Sequence, residues 1–283
     1  MRRAALLCWV VAAGGLSQPF RDAPAIPTWV AVDSNLRYDQ YPETVLDVLQ
    51  PKTPAAGRRP GVVVIHGGGW VRGSREQMIN GFCLPFLEQG FVVANLGYRL
   101  AKVAPAPAAV TDVLNATQWF LRNAGRFNVD RNRVVVTGAS AGGHLALMVG
   151  MAPKGARLGP PVKVAAIINV YGITDVADQI QGTNQRPYAL EWIPDQPGRL
   201  ELARRLSPLT YVRRDVPPIL TIHGDADETV PYEHGVRLTK ALRDAGADAQ
   251  LIPVPQGRHG FTKEQWEALL PQIFAFLKQR RIL

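Results

Sequence analysis

The sequence predicts an α/β fold, a mostly parallel twisted sheet of about eight strands flanked by helices, and three observations carry that expectation. Short runs that are apolar at every position recur along the chain, and longer amphipathic stretches separate them. A strand that is apolar throughout is buried on both faces, as happens where helices cover both sides of a parallel sheet. Apolar residues make up 47% of the 283 positions and charged residues 19%, enough for one large core and unlike a disordered chain.

Residues 1–18 stand outside this fold. Arg2 and Arg3 give a positive start, an apolar run covers 4–13, and the small residues Gly14, Gly15 and Ser17 sit where cleavage would fall. The segment therefore reads as a signal peptide, and the protein as secreted or periplasmic. The run is too short to span a bilayer, so no stable membrane insertion is expected.

The folded domain is expected over 29–283. Residues 29–49 alternate in character and break at Asn35 and Pro42, as an antiparallel hairpin at a sheet edge does. A Pro-, Ala- and Gly-rich loop at 51–60 leads into Val62-Val63-Val64-Ile65. Residues 91–94, 134–136, 164–170, 219–222 and 251–254 read as further buried strands. Helices are expected near 75–89, 108–123, 141–151, 232–245 and 263–279, with Gly90, Gly125 and Gly246 as stops. One connection breaks the rhythm. Residues 173–216 carry Gly, Pro, Gln, Asn and three aromatics with weak periodicity. So long a connection in a compact domain is usually functional, and a lid or cap insertion over the site is expected there.

Without residues 1–18, Cys83 is the only cysteine, so no disulfide within the chain can form. Its neighbours Phe82, Leu84, Phe86 and Leu87 look like the buried side of a helix. The formal net charge of +9 falls to +7 without Arg2 and Arg3. The basic residues are scattered, in doublets at most (Arg58-Arg59, Arg204-Arg205, Arg213-Arg214), with no stripe interleaved with aromatics. Nucleic acid is therefore not expected as a partner. Scattered histidines and a lone cysteine give no metal-ligand cluster, and no metal is expected.

The strongest chemical signal is Gly138-Ala139-Ser140-Ala141-Gly142, a G-x-S-x-G between an apolar strand and a helix. That context puts a serine on a strained strand-to-helix turn, its hydroxyl beside a helix N-terminus that favours developing negative charge. A serine hydroxyl needs a positioned base. Of five histidines, His259, in a loop after the last expected strand, is the best candidate. His66 starts a glycine loop, His144 lies one turn past the serine, His223 ends a strand and His234 opens a helix, and each has a structural explanation. The acid should fall between serine and histidine. Asp225 and Asp227 compete for that role. Asp225 follows the Gly turn directly and reads as a loop brace, and Asp227 reaches further and is assigned to the triad. The glycine loop His66-Gly67-Gly68-Gly69-Trp70 lacks the G-K-[ST] ending of a phosphate loop. It stands where an oxyanion hole draws its second half, so the N–H groups of Gly68, Gly69 and Ala141 are the expected donors.

Together, H-G-G-G-W at 66–70, G-Y-R-L at 97–100, G-A-S-A-G-G-H at 138–144, H-G-D-A-D-E-T-V-P at 223–231 and G-R-H-G-F at 257–261 resemble the hormone-sensitive-lipase-like carboxylesterases. Within these they are most similar to the bacterial branch with feruloyl and acetyl-xylan esterases. The resemblance covers about residues 29 to 280 and implies the α/β-hydrolase fold with an eight-stranded sheet. It also implies cofactor-free hydrolysis of carboxylic esters, with Ser140 as nucleophile, Asp227 as acid, His259 as base and Gly68, Gly69 and Ala141 as oxyanion donors. Ala101-Lys102 departs from the Ala-Pro that follows Y-R-L in many relatives.

The expected partner is a small-molecule or polysaccharide-linked ester, held by Trp70, Tyr171, Tyr188, Trp192 and Phe261. Three rivals share some of these features. An aryl formamidase would use the same triad, although export argues against it. A prolyl-oligopeptidase-type peptidase normally carries a propeller domain for which this length leaves no room. A non-catalytic small-molecule receptor tends to lose a triad member, and all three stand here.

Overall fold

The computed structural model describes residues 25–283, so the expected signal peptide lies outside the described residues. Eight strands form one sheet: β1 (Val30–Arg37), β2 (Val45–Pro51), β3 (Arg59–Ile65), β4 (Val92–Leu96), β5 (Val129–Ala139), β6 (Ala166–Val170), β7 (Ile219–Gly224) and β8 (Ala249–Val254). Their spatial order is β1-β2-β4-β3-β5-β6-β7-β8. The hairpin β1–β2 is antiparallel at one edge, β2 pairs antiparallel with β4, and β3 to β8 run parallel.

Period-2 alternation explains why apolar runs were needed. Val63 and Ile65 face one core layer, while Val62 and Val64 face the other. The first layer packs under α2 (Ala108–Arg122), α3 (Ala141–Met151) and α7 (Glu233–Asp244); the second packs under α1 (Leu84–Glu88) and α8 (Lys263–Gln279). Among the described residues no helix is long and apolar enough to cross a membrane. Residues 173–216 form α4 (Val176–Ile180), α5 (Pro187–Trp192), α6 (Arg199–Arg205) and two 3₁₀ turns.

One expected helix is corrected. Residues 75–89 are a 3₁₀ turn (Arg75–Met78), a π-turn (Ile79–Cys83) and only then α1. Pro85 is the reason. It has no N–H to give the Gly81 carbonyl, so a regular helix cannot pass through that position. The released carbonyl accepts the Trp266 indole N–H at 2.8 Å, which ties this segment to α8.

Candidate active site

Loops at the carboxyl ends of five adjacent parallel strands converge, the place where open α/β sheets present their ligands. Ser140 stands between β5 and α3 at φ 57° and ψ −122°, a backbone conformation that most residues avoid. The flanking glycines are a steric need. A Cβ on Gly142 would stand 2.1 Å from the Ile65 carbonyl oxygen, and one on Gly138 2.5 Å from the Gly142 carbonyl. The Ser140 N–H donates to the Val170 carbonyl (2.9 Å), which pins the turn to β6.

His259 comes from the loop after β8 and Asp227 from the loop after β7. Ser140 Oγ–H donates to His259 Nε2 at 2.8 Å, and His259 Nδ1–H donates to Asp227 Oδ2 at 2.7 Å. The other oxygen, Asp227 Oδ1, accepts the N–H groups of Thr229 and Val230, each at 2.9 Å. His223 is a fourth group beside this carboxylate: its Nε2 lies 3.0 Å from the Val230 carbonyl and 3.5 Å from Asp227 Oδ2. Burial works to raise the Asp227 pKa, but hydrogen bonds from His223 and His259 outweigh it and hold the carboxyl well below the usual range. The structure brings Asp227, not Asp225, to the imidazole. Asp225 Oδ1 instead accepts the Gln256 N–H (2.6 Å) and so ties the aspartate loop to the histidine loop.

The glycine loop follows β3 and faces Ser140. Gly68 and Gly69 have φ of 111° and 62°. Among the described residues, the N–H groups of Gly68, Gly69 and Ala141 donate to no protein acceptor. These unpaired donors beside one serine match what a developing oxyanion requires. His66 and His144 stand outside the hydrogen-bonded line, each buried, with burial pushing the pKa down to about 4. His66 stacks on Tyr98 with ring centroids 4.2 Å apart, and His234 Nε2 lies 3.1 Å from Asp178.

A cavity of about 470 Å³ opens over Ser140 and His259. Of the five expected pocket aromatics, Tyr171, Tyr188 and Phe261 stand on its wall. Trp70 and Trp192 do not, and that expectation is corrected. Both are fully buried and stacked on one another (4.0 Å, 12°), because the Trp70 backbone turns its indole away from Ser140 into the layer beneath α5. Sequence reasoning missed Met78, Phe82 and Trp266, which complete an apolar side of the cavity, and Arg72, Gln77 and Glu191, which form an exposed rim. The signal for Phe82 was present but pointed elsewhere, since a buried helical face can equally be core. A larger cleft of about 770 Å³ lies at the opposite end of the strands, between Arg133, Lys163 and Arg281. Its lining carries no serine, cysteine or histidine, whereas the smaller cavity is lined by both Ser140 and His259, so the chemistry belongs to the smaller cavity.

A mostly parallel sheet carrying a serine on a strained strand-to-helix turn after β5, with the acid after β7 and the histidine after β8, defines an α/β-hydrolase. The chain belongs to the BD-FAE family, whose model matches residues 46–242. Esterase LipC of Mycobacterium tuberculosis is 30% identical over 242 residues, covering 79% of this chain and 58% of LipC. A truncated carbohydrate esterase from gut microbiota superposes with a TM-score of 0.74 at 25% identity, covering 92% of this chain and 99% of that one. The apo form of Thermogutta terrifontis esterase 2 gives a TM-score of 0.75 at 25% identity, covering 92% and 97%. This chain spans a little over half the length of the curated relatives it matches.

Proposed function

We propose that this chain is a serine carboxylic-ester hydrolase acting on short-chain or aromatic acyl esters through an acyl-enzyme. One observation carries the reading: the continuous hydrogen-bonded line Ser140–His259–Asp227, facing the unpaired N–H groups of Gly68, Gly69 and Ala141. Ser140 Oγ attacks the ester carbonyl carbon while its proton passes to His259 Nε2. The carbonyl oxygen takes the negative charge, and the three N–H groups stabilise it. The C–O bond to the alcohol breaks, and His259 returns the proton to the leaving oxygen. Water then repeats the sequence on the acyl-enzyme, releasing the acid and restoring Ser140. Asp227 stays ionised throughout and holds the imidazole in the tautomer that can accept from serine.

Relatives named as esterases and as a carbohydrate esterase support the ester reading. The acyl preference rests on the cavity. At about 470 Å³ it falls low in the range of small-ligand sites, and Phe82, Tyr171, Phe261 and Trp266 offer aromatic walls to an aryl acid. Feruloyl or acetyl esters of plant cell-wall polysaccharide fit this shape, with Pro187, Tyr188 and Glu191 of α5 forming one side of the cavity. A panel of p-nitrophenyl esters, methyl ferulate and acetylated xylan tests the reading. Turnover of acetate, butyrate and ferulate esters, falling beyond about eight carbons, is expected for a pocket of this size. A maximum at palmitate, or activation by an oil–water interface, would make the protein a lipase instead.

A further inference from the structure

Two residues of the sequence motifs have no part in the chemistry above: the tryptophan ending H-G-G-G-W and the histidine ending G-A-S-A-G-G-H. Trp70 has φ 62°, directly after Gly68 and Gly69, so three consecutive residues lie in the left-handed region. Glycine adopts it freely, whereas a bulky residue there is strained and persists only when its surroundings hold it. They do. The indole stacks on Trp192, its Nε1–H donates to His144 Nδ1 at 3.1 Å, and the Trp70 carbonyl accepts the Ala101 N–H at 2.9 Å.

His144 joins three parts of the fold. Its backbone N–H donates to the Ser140 carbonyl (3.0 Å), since it lies one turn along α3. Its Nε2–H donates to the Leu206 carbonyl (2.7 Å) at the end of α6. An indole nitrogen can only donate, so the tautomer is fixed: Nδ1 accepts from Trp70 and Nε2 carries the proton. Both ring nitrogens are therefore satisfied in a fully buried site.

We propose that His144 and Trp70 are positioning residues that lock the glycine loop to the first turn of the nucleophile helix, and so set the spacing between the N–H groups of Gly68 and Gly69 and that of Ala141. The inference rests on the ester-hydrolase reading. The two halves of the oxyanion hole come from distant stretches of chain, and the Trp70–His144 bond spans 74 residues to join them directly. An oxyanion exists only near the transition state, so loosening this joint lowers kcat and leaves KM. Losing a donor outright costs about 10²–10³ in rate, so a donor kept but misplaced costs less, about 10- to 100-fold.

Trp70→Phe removes the Nε1–H and keeps an aromatic ring against Trp192. His144→Asn keeps an acceptor near the position of Nδ1, and His144→Leu removes it. Each variant is assayed on p-nitrophenyl acetate, with rates expressed per Ser140 titrated to completion by an organophosphate, so misfolded protein does not count. Trp70→Phe and His144→Leu are expected to lose about 10- to 100-fold in kcat per site with KM within about twofold, the double variant no more than either, and His144→Asn much less. A merely structural role would lower the titratable fraction and leave kcat per site at the wild-type value, which overturns the inference. Additive losses in the double variant overturn it as well. Should Trp70→Phe give no titratable sites, equal kcat per site in the two His144 variants overturns it. A wild type that hydrolyses no ester in the panel refutes the underlying reading, whereas an active wild type beside a fully active Trp70→Phe refutes this inference alone.

Discussion

Asp227→Asn separates a catalytic aspartate from a structural one, and the geometry gives its size. Asp227 Oδ1 accepts two backbone N–H groups at 2.9 Å, so the amide oxygen of an asparagine must take that side. Its NH₂ then faces His259 Nδ1, where Oδ2 stood at 2.7 Å. Two donors cannot face each other, so His259 moves its proton to Nε2, and that nitrogen can no longer receive the proton of Ser140. The wrong tautomer costs on the order of 10⁴ in kcat, about 5 kcal/mol of transition-state stabilisation. The asparagine is isosteric and keeps its two backbone partners. The loss to the fold is therefore the charge-assisted hydrogen bond from His259, about 1.5–3 kcal/mol, with the longer approach of His223 at 3.5 Å contributing less, and Tm falls by less than about 10 °C. Initial rates on p-nitrophenyl acetate and a thermal melt read both. Asp225→Asn, which touches Gln256 and not the imidazole, should keep kcat within about threefold, because a distant loop brace acts on stability. An Asp227→Asn enzyme within tenfold of wild type, or the large loss in Asp225→Asn, would falsify the assignment.

Ser140→Ala should remove turnover by several orders of magnitude with an unchanged melt, and an organophosphate should label Ser140 in the wild type only; labelling elsewhere in a still-active mutant refutes it. Phe82→Leu removes an aromatic wall while keeping bulk, so kcat/KM for methyl ferulate should fall about two- to tenfold relative to p-nitrophenyl butyrate, the worth of one aromatic contact. Equal losses on both esters would place the aryl group elsewhere. Acid should destabilise the fold between about pH 6.5 and 4. Burial lowers the pKa of His66 and His144 to about 4, so in that window the unfolded chain binds protons that the folded chain does not, and stability falls with pH by roughly 3 kcal/mol for each. Chemical denaturation across that range should show a midpoint that falls with pH, and a flat midpoint contradicts buried neutral imidazoles. Export predicts that protein recovered outside the cytoplasm of its native host begins between about Gly15 and Phe20; an intact Met1 in the cytosol ends that proposal.

How much of this was legible in the sequence follows from how local each signal is. Runs such as Val62-Val63-Val64-Ile65 declare a strand buried on both faces, because alternation sends neighbouring side chains into opposite layers. The strand-to-helix turn at Ser140 was equally readable, since only small neighbours fit beside a strained serine. Both are decided within a few residues by sterics and burial. The choice of Asp227 over Asp225 was not, because either aspartate can reach out of the same loop, and only the position of the β8 loop selects one. Trp70 shows the same limit. A tryptophan after a glycine loop reads as a pocket aromatic, yet its backbone turn aims the indole at His144 and Trp192, 74 and 122 residues away. The cavity wall built by Met78, Phe82 and Trp266 was hidden for a related reason. A residue's burial is written in its polarity, but whether it is buried against core or against an empty cavity depends on what the rest of the chain brings opposite it, and packing of distant segments alone decides that.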